Sequence, residues 1–202
     1  MLVLYCRYGF YGFIRLIRDY LLTFIFYNNS RILRYPNYIR GKKYIDFGKS
    51  LTTGVGLRID AMPINKSKIV LKFGCDIELN DYVHIGAIDS ITIGNNVLIA
   101  SKVFITDHNH GNYSGDEPHN NPNIPPRNNS LHSSPVEIQD NVWIGENVSI
   151  LPGVTVGKGS IIGAMSLVNK NIPPYSLAVG IPAKVVKTFN FESKKWEKIQ
   201  NQ

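Results

Sequence analysis

Four of the five histidines lie in one polar stretch, residues 108–135, which is rich in Asn, Pro, Gly and Ser. They are His108, His110, His119 and His132. An imidazole titrates near neutral pH and can take a proton from a hydroxyl, so such a cluster is typical of general acid–base catalysis or of metal binding. The preceding residue is Asp107, whose carboxylate can either orient an imidazole or cap a turn.

Charge and cysteine content exclude several classes of protein. Residues 1–43 hold eight Lys/Arg and one acid, whereas residues 44–202 hold fourteen of each, so the whole net charge of +7 lies in the N-terminal segment. A nucleic-acid-binding body is therefore not expected, but an N-terminal segment that meets an anionic partner is. The two cysteines, Cys6 and Cys75, have no metal-binding spacing and fit a reducing compartment.

On both sides of the histidine stretch, aliphatic residues recur every six positions. Period six fits neither an α-helix nor a hairpin meander, and it predicts a coil with three flat sides, each a short strand with one side chain inside. Such coils stack in parallel at about 4.8 Å and bury a continuous narrow core. The inward positions are Phe73, Leu79, Ile85, Ile93, Ile99, Ile105, Ile138, Ile144, Ile150, Val156, Ile162 and Val168, with a two-residue insertion between Ile85 and Ile93.

The N-terminal segment, residues 1–27, is rich in aliphatic and aromatic side chains. Its longest charge-free run, Tyr20 to Tyr27, is far shorter than the roughly 20 residues of a spanning helix. Two interpretations remain open. The segment is either an amphipathic helix lying on an anionic membrane surface, or a helix packed on the body or on a neighbouring subunit.

Three stretches of the sequence carry a resemblance to a known family: NVLIASKVFITDHNHG, NVWIGENVSILPGVTVGKGSIIGAMSLV and NIPPYSLAVGIPAKVVK. They resemble the hexapeptide-repeat acyltransferases, and most closely the branch of maltose, galactoside and nodulation-factor O-acetyltransferases. The resemblance covers about residues 65–188. The DHNHG variant, together with a basic apolar N-terminus, resembles the subgroup that acetylates bacterial surface polysaccharides such as O-antigen or capsule, or their lipid-linked precursors.

This resemblance implies an all-β fold, a left-handed parallel β-helix, assembled as a homotrimer. It further implies an O-acetyltransferase that moves acetyl from acetyl-CoA to a hydroxyl of a saccharide or lipid-linked saccharide, with no metal. N-acetylation of a nucleotide-linked amino sugar is the main alternative. Two further alternatives are a zinc hydro-lyase that uses His84, His108 and His110, and a β-helix binding module without catalytic activity.

Carried over by residue, the resemblance assigns the reacting groups. An ungapped alignment from Val97 places His110 on the family's catalytic histidine, with His108 as its rival and His119 third. Asn80 falls on the family's asparagine near the reacting centre, where it would contact the oxyanion or the acceptor hydroxyl. Trp143 is expected to line the acceptor or pantetheine channel at a subunit interface, since an outward Trp on such a wall is costly unless something covers it, and Asp107 is expected on the acceptor side.

The positions that match the family's CoA contacts lie in the C-terminal half of the repeat. Ala164 and Asn169 would offer backbone groups to the pantetheine amides. Lysines would meet the phosphates as point charges rather than as bidentate forks. The full set is Glu146, Ala164, Asn169, Lys170, Lys184 and Lys187, and the role of Glu146 stays open.

We expect three segments along the chain. Residues 1–43 are the basic apolar segment, residues 44–188 are the β-helix with an excursion loop at 108–135, and residues 189–202 are a tail that ends in a short helix. The expected location is cytoplasmic, with peripheral contact at the inner face of the membrane, and no nucleic-acid partner.

Overall fold

The computed structural model describes residues 2–64, 68–113 and 120–199, so His119 lies outside the described residues. Helix α1 spans Leu2–Phe26 and is interrupted at Gly9, whose φ is 66° and ψ is 177°. Two 3₁₀ turns span Lys42–Tyr44 and Pro126–Asn128. The strands are β1 (Tyr38–Arg40), β2 (Ile45–Asp46), β3 (Thr52–Thr53), β4 (Arg58–Ala61), β5 (Leu71–Phe73), β6 (Glu78–Leu79), β7 (His84–Ala87), β8 (Ile91–Ile93), β9 (Leu98–Ile99), β10 (Phe104–Thr106), β11 (His108–Asn109), β12 (His132–Ser133), β13 (Val136–Ile138), β14 (Trp143–Ile144), β15 (Ser149–Ile150), β16 (Thr155–Val156), β17 (Ile161–Ile162), β18 (Leu167–Val168), β19 (Ser176–Val179), β20 (Lys184–Asn190) and β21 (Lys195–Lys198).

Three sheets form the sides of a coil. The first sheet has the order β1-β4-β7-β10-β15-β18, the second β16-β13-β8-β5-β2, and the third β21-β20-β19-β17-β14-β9-β6-β3. The chain visits the second, third and first sheets in turn, and the strands of successive coils pair in parallel. The coil of three flat sides that the period of six predicts is confirmed.

Register explains why the repeat buries its aliphatic positions. Ile85 pairs with Ile105, Ile105 with Ile150, and Ile150 with Val168, so one side chain of each coil stacks on the next. Each of the twelve inward positions is at most 4% exposed. The predicted core positions are therefore confirmed.

Stacking begins ahead of residue 44, where we expected the β-helix to start. β1 pairs in parallel with β4, so that Tyr38 lies opposite Arg58, and Ile32 forms an isolated bridge with Thr52. Leu33 is fully buried in the same core. Part of the basic N-terminal segment thus belongs to the first coil.

The excursion loop, residues 108–135, leaves the coil after β10 and returns before β13. Its two ends are tied by an antiparallel pair, β11 with β12, in which His108 lies opposite Ser133 and Asn109 opposite His132. The loop is therefore anchored at the corner where it departs, and its histidine-rich stem has a fixed position on the coil.

The expected C-terminal helix is wrong, because the tail forms β-structure. β20 pairs antiparallel with β19 and then with β21, which extends the third sheet by a hairpin. The open edge of β19 offers backbone partners, and rings of Phe189 and Trp196 pack edge to face with centroids 5.4 Å apart. Edge pairing and aromatic packing outweigh the helical propensity of the Lys- and Glu-rich tail.

Helix α1 packs on the coil with its polar side. Asp19 and Thr23 are buried, Asp19 pairs with Arg18 and Arg34, and the Thr23 hydroxyl accepts a hydrogen bond from the backbone N–H of Leu33 at 2.8 Å. The opposite face is apolar and 45–70% exposed; it consists of Phe10, Ile14, Ile17, Leu21, Phe24 and Ile25. Among the described helices, none is long and apolar enough to cross a membrane.

Because the narrow core is closely packed, truncating an inward residue should be costly. Leu79→Ala, at a position 1% exposed, should lower the free energy of unfolding by about 2–5 kcal/mol. The matched control is Leu131→Ala in the excursion loop, at a position 37% exposed, which should cost less than about 1 kcal/mol. Urea unfolding followed by circular dichroism measures both, and equal losses would contradict the assigned core.

Candidate active site

Asp107 follows β10 at the corner where the chain leaves the first sheet. The backbone N–H groups of Ile88, Asp89 and Ser90 donate hydrogen bonds to its carboxylate oxygens over distances between 2.8 and 3.1 Å. These donors lie in the segment between Ile85 and Ile93, where a two-residue insertion interrupts the repeat in the preceding coil. Since Asp107 is fully buried, the insertion and the carboxylate satisfy each other's hydrogen-bonding needs.

The same carboxylate holds the imidazole of His108. Nδ1 of His108 lies 2.9 Å from Oδ1 of Asp107 and 3.2 Å from Oγ1 of Thr106. The ring lies over Gly86, where a Cβ would be 3.4 Å from Cε1 of His108, an ordinary van der Waals distance. An ionised carboxylate only accepts, so we assign the proton of neutral His108 to Nδ1, which leaves a lone pair on Nε2. This is the arrangement that a general base requires.

Burial alone would raise the pKa of the Asp107 carboxyl, but hydrogen bonds from His108 and from three backbone N–H groups outweigh it and hold that pKa below its usual value. The carboxylate is therefore ionised at neutral pH. Its contribution to stability is present above the unfolded-state pKa of about 3.9 and is lost as pH falls through the lower folded-state pKa.

His110 lies two residues further along the stem of the loop, and its side chain is exposed. Its ring centroid is 6.5 Å from that of His108. The backbone carbonyl of His110 accepts a hydrogen bond from the Tyr113 hydroxyl at 2.8 Å, which fixes the main chain and leaves the ring facing outward. The structure thus brings both candidate bases to one corner, with Asp107 in contact with His108.

A charged cluster on the outer face of the first sheet was missed by the sequence analysis. Asp60 accepts hydrogen bonds from Arg40 at 2.6 Å and Arg58 at 2.7 Å, and lies 3.3 Å from Nε2 of His84. The pairing of Arg58 with His84 across β4 and β7 would have been the signal, since both are outward positions of successive coils. The Nε2 atom of His84 therefore contacts the carboxylate that the two arginines share.

Two opposing effects act on this cluster. Burial and the nearby Arg58 lower the pKa of His84 despite its contact with Asp60. Burial would raise the pKa of Asp60, but the two arginines together lower it. Within the described ranges, no group of three or more His, Cys, Asp or Glu side chains is placed to hold a metal ion.

Asn80, Glu146 and Ala164 lie on a second corner, where the chain passes from the third sheet to the first in successive coils. The backbone N–H of Met165 donates to the carbonyl of Glu146 at 2.8 Å, so these corners stack directly. The side chains of Asn80, Glu146 and Ala164 are exposed. The Glu146 carboxylate lies 3.9 Å from Nζ of Lys102 at the same corner of the neighbouring coil.

Trp143 and two of the lysines lie on the third sheet. Trp143 is 49% exposed on β14 and pairs with Leu98 and Ile161. On β20, Lys184 lies opposite Val179 and Lys187 opposite Leu177. These side chains face outward from one wall of the coil, as the sequence analysis expected for Trp143.

Within one chain the predicted site residues therefore form two separate groups. The first lies at the corner after β10 and β18 and consists of Asp107, His108, His110, Asn169 and Lys170. The second lies at the corner after the third sheet and on that sheet itself, and consists of Asn80, Glu146, Ala164, Trp143, Lys184 and Lys187. The two corners lie at opposite ends of the strands of the first sheet, so one chain does not bring the whole set of residues together.

Comparison with known proteins gives consistent relatives. The model of the bacterial transferase hexapeptide (six repeats) matches residues 135–170. The Escherichia coli protein WbbJ, described as a candidate lipopolysaccharide biosynthesis O-acetyl transferase, is 52% identical over 192 residues, which cover 95% of this chain and 96% of WbbJ.

Two solved structures are similar as well. A maltose O-acetyltransferase from Clostridium difficile is 30% identical, with a TM-score of 0.54 over 73% of this chain and 71% of that one. A variant of AntD, an N-acyltransferase from Bacillus cereus in complex with an amino-sugar nucleotide and coenzyme A, gives a TM-score of 0.65 over 82% of this chain and 83% of that one. At 19% identity AntD is similar in fold alone.

The Asp107 network can be tested by stability. Asp107→Asn should lower the free energy of unfolding by about 1–3 kcal/mol, because the amide group turns donors toward backbone N–H groups that need an acceptor. The control is Asp89→Asn, whose side chain pairs with Lys68 at the surface and should cost below about 1 kcal/mol. Urea unfolding at neutral pH compares them, and a neutral Asp107→Asn would refute the network.

Proposed function

Because this chain belongs to the bacterial hexapeptide-repeat acetyltransferases, we propose that it transfers the acetyl group of acetyl-CoA to a hydroxyl of a saccharide. The observation that carries the proposal is the 52% identity with WbbJ over nearly the full length of both chains. The left-handed sense of the parallel β-helix follows from the same family membership.

The acceptor is proposed to be a saccharide of a bacterial surface polysaccharide, free or linked to a lipid. The description of WbbJ supports this class, and so does the similarity to a maltose O-acetyltransferase, which also uses a sugar hydroxyl. N-acylation of a nucleotide-linked amino sugar has weaker support, because the AntD likeness is one of fold alone.

The reaction requires a base and an oxyanion donor. The base takes the proton of the acceptor hydroxyl as its oxygen attacks the thioester carbon, and the C–S bond then breaks as the thiolate leaves and is protonated. We propose His110 as the base, since it aligns without a gap with the family's histidine and its ring is exposed to an acceptor. Asn80 would then stabilise the oxyanion through a hydrogen bond or position the acceptor hydroxyl.

The contact between Asp107 and His108 argues for the rival base. His108 has the carboxylate partner and the assigned lone pair on Nε2, whereas the described contact of His110 is made by its carbonyl. In our proposal the pair serves to hold the stem of the excursion loop, so that His110 projects from a fixed point. Mutation of each histidine separates the two roles.

A homotrimer is proposed because the two groups of site residues lie at opposite ends of the strands of one sheet. In a cyclic assembly the third sheet of one subunit faces the first sheet of the next, which would bring Trp143 of one copy to the histidine corner of another. The exposure of Trp143, 49% in the single chain, supports such a cover. The acceptor and the CoA arm would then bind between subunits.

Acetyl-CoA is the proposed co-substrate, and the exposed groups of both corners suit it. Ala164 and Asn169 offer backbone groups for the amides of the pantetheine arm. Lys170, Lys184 and Lys187 would meet the phosphates, while Glu146, which lies near Lys102, would order the corner that the arm crosses. No metal is needed for this chemistry.

Peripheral binding to the cytoplasmic face of the membrane is also part of the proposal. Helix α1 packs on the coil through its polar side and exposes large apolar side chains such as Ile17, Leu21 and Phe24, which is the reverse of an ordinary surface helix. Residues 1–43 carry the entire net charge of +7 beside this face. Anionic lipids attract Lys and Arg near the surface by about 1 kcal/mol each, and apolar side chains enter the interface.

The choice of base is tested by two variants of equal size. His110→Gln should lower kcat by about 10²–10⁴ and leave the KM for acetyl-CoA nearly unchanged, because the loss is of proton transfer and not of donor binding. His108→Gln, which can still bond to Thr106, should lose less. Thiol release from acetyl-CoA with a panel of saccharides and amino sugars measures both; the opposite order would assign the base to His108.

Membrane contact is tested by co-sedimentation with vesicles. The full-length protein should bind vesicles that contain anionic lipids at low salt and should be released by high salt. Phe24→Glu, at a position 70% exposed on α1, should lower the bound fraction at least about fivefold, since it places a charge in the apolar face. Ile64→Glu, 68% exposed and outside α1, is the matched control.

Two outcomes would contradict the membrane proposal. The first is that the full-length protein fails to bind anionic vesicles at low salt. The second is that Phe24→Glu elutes from size-exclusion chromatography as a smaller species. The second result would mean that the apolar face of α1 packs against a neighbouring subunit.

A further inference from the structure

A cavity of about 400 Å³ lies between α1 and the first coils. Helix α1 contributes Arg15 and Arg18, and the coils contribute the remaining lining, which is Arg34, Tyr35, Pro36, Val55 and Tyr82. Three guanidinium groups and two phenol rings therefore surround one opening. Neither the base nor the proposed CoA contacts belong to this cavity.

One carboxylate sets the charge and the geometry of these arginines. Asp19, fully buried beneath the cavity, accepts from Nη2 of Arg18 at 2.6 Å and from Nε of Arg34 at 2.9 Å. Among the described residues, Arg15 has no acidic partner, so three arginines share the one carboxylate that pairs with them, and Asp81, whose carboxylate accepts from the backbone N–H of Val55 at 2.7 Å, leaves the positive charge in excess. Such a surplus attracts an anion.

The arginines are already positioned before any ligand binds. The Arg18 guanidinium lies 6.0 Å from the centroid of the Tyr35 ring and also donates to the Tyr35 carbonyl at 3.3 Å. The Arg34 guanidinium lies 5.7 Å from the centroid of the Tyr8 ring. Because Asp19 and the rings hold these groups, less side-chain entropy is lost on binding. Planar guanidinium groups match phosphate oxygens through paired hydrogen bonds.

We propose that this cavity binds the diphosphate group of the acceptor, which is a saccharide linked through that diphosphate to a lipid or to a nucleoside. This inference rests on the proposed function for the saccharide acceptor, and adds to it the diphosphate link. Tyr82 lies two residues after Asn80 on the same turn of the coil, so a diphosphate in the cavity would direct the attached sugar toward that corner. The rings of Tyr35 and Tyr82 offer apolar walls to the lipid or nucleoside that is attached to the other end of the diphosphate.

Calorimetric titration of inorganic pyrophosphate into the full-length protein tests the site directly. Arg15→Gln should raise the Kd at least about fivefold, because it removes the cationic group that no carboxylate neutralises and leaves the Asp19 network intact. Arg31→Gln removes the same charge from a surface pair with Asp76 outside the cavity, and should change the Kd less than about twofold. Equal weakening in both variants would mean a general charge effect and would overturn the site.

UDP and farnesyl diphosphate, titrated in the same buffer, distinguish the two sources of the diphosphate. Both should lose affinity in Arg15→Gln, and the tighter of the two in the unchanged protein identifies a nucleotide-linked or a lipid-linked acceptor. Acetyl-CoA, which also carries a diphosphate, should keep its Kd within about twofold in Arg15→Gln. An equal loss for acetyl-CoA would assign the cavity to the donor and overturn the proposal.

These titrations do not depend on turnover. Absence of acetyl transfer to every saccharide would refute the proposed function while the pyrophosphate result still stood. Conversely, normal acetyl transfer with an Arg15→Gln protein that binds pyrophosphate as tightly as the unchanged chain would refute only the cavity.

Discussion

Stacking of aliphatic side chains in a narrow core holds the whole coil together. A side of the triangle turns two side chains inward, such as Val103 and Ile105, and parallel pairing places an inward residue directly on its counterpart in the next coil, as for Ile105 on Ile85. This leaves no inward position for catalytic side chains. Chemistry is therefore confined to the corners and to the outer faces, where the period of six does not restrict the residue type.

The two departures from the period occur at one corner and depend on each other. The segment that contains the two-residue insertion turns the backbone N–H groups of residues 88–90 toward Asp107, and Asp107 lies where the excursion loop begins. A buried carboxylate without these donors would be costly, and an insertion without an acceptor would leave backbone groups unpaired. The catalytic candidates follow directly after this fixed point, so an irregularity of the coil supplies the rigidity that a histidine site needs.

The N-terminal helix reverses the usual distribution of polar and apolar side chains, and one buried residue explains how. Asp19 needs cationic partners, and Arg18 and Arg34 supply them from the helix and from the first coil. This pairing fixes α1 to the coil through its polar side, which forces the apolar side outward and gathers arginines around one cavity. The basic charge of the segment is thus concentrated beside both the exposed apolar face of α1 and the corner that carries Asn80.

Much of this protein can be predicted from the sequence, because the period of six is a local pattern with a single structural solution. Residues such as Ile150 and Val168 recur at fixed spacing, so the core, the three sheets and the position of the excursion loop follow from spacing alone. The clustering of His108 and His110 after Asp107 is equally local, since it depends on neighbours in the chain.

Only the tertiary structure decided which groups meet across the chain. The contact of Asp107 with Asp89, the pairing of Asp19 with Arg34, and the Arg40–Asp60–His84 cluster join residues whose spacing carries no repeat signal. The C-terminal tail shows the same limit, because its own propensity favours a helix while the open edge of β19 and the ring of Phe189 draw it into a hairpin. Hydrogen-bond satisfaction and edge pairing act between distant segments, and local patterns therefore do not specify them.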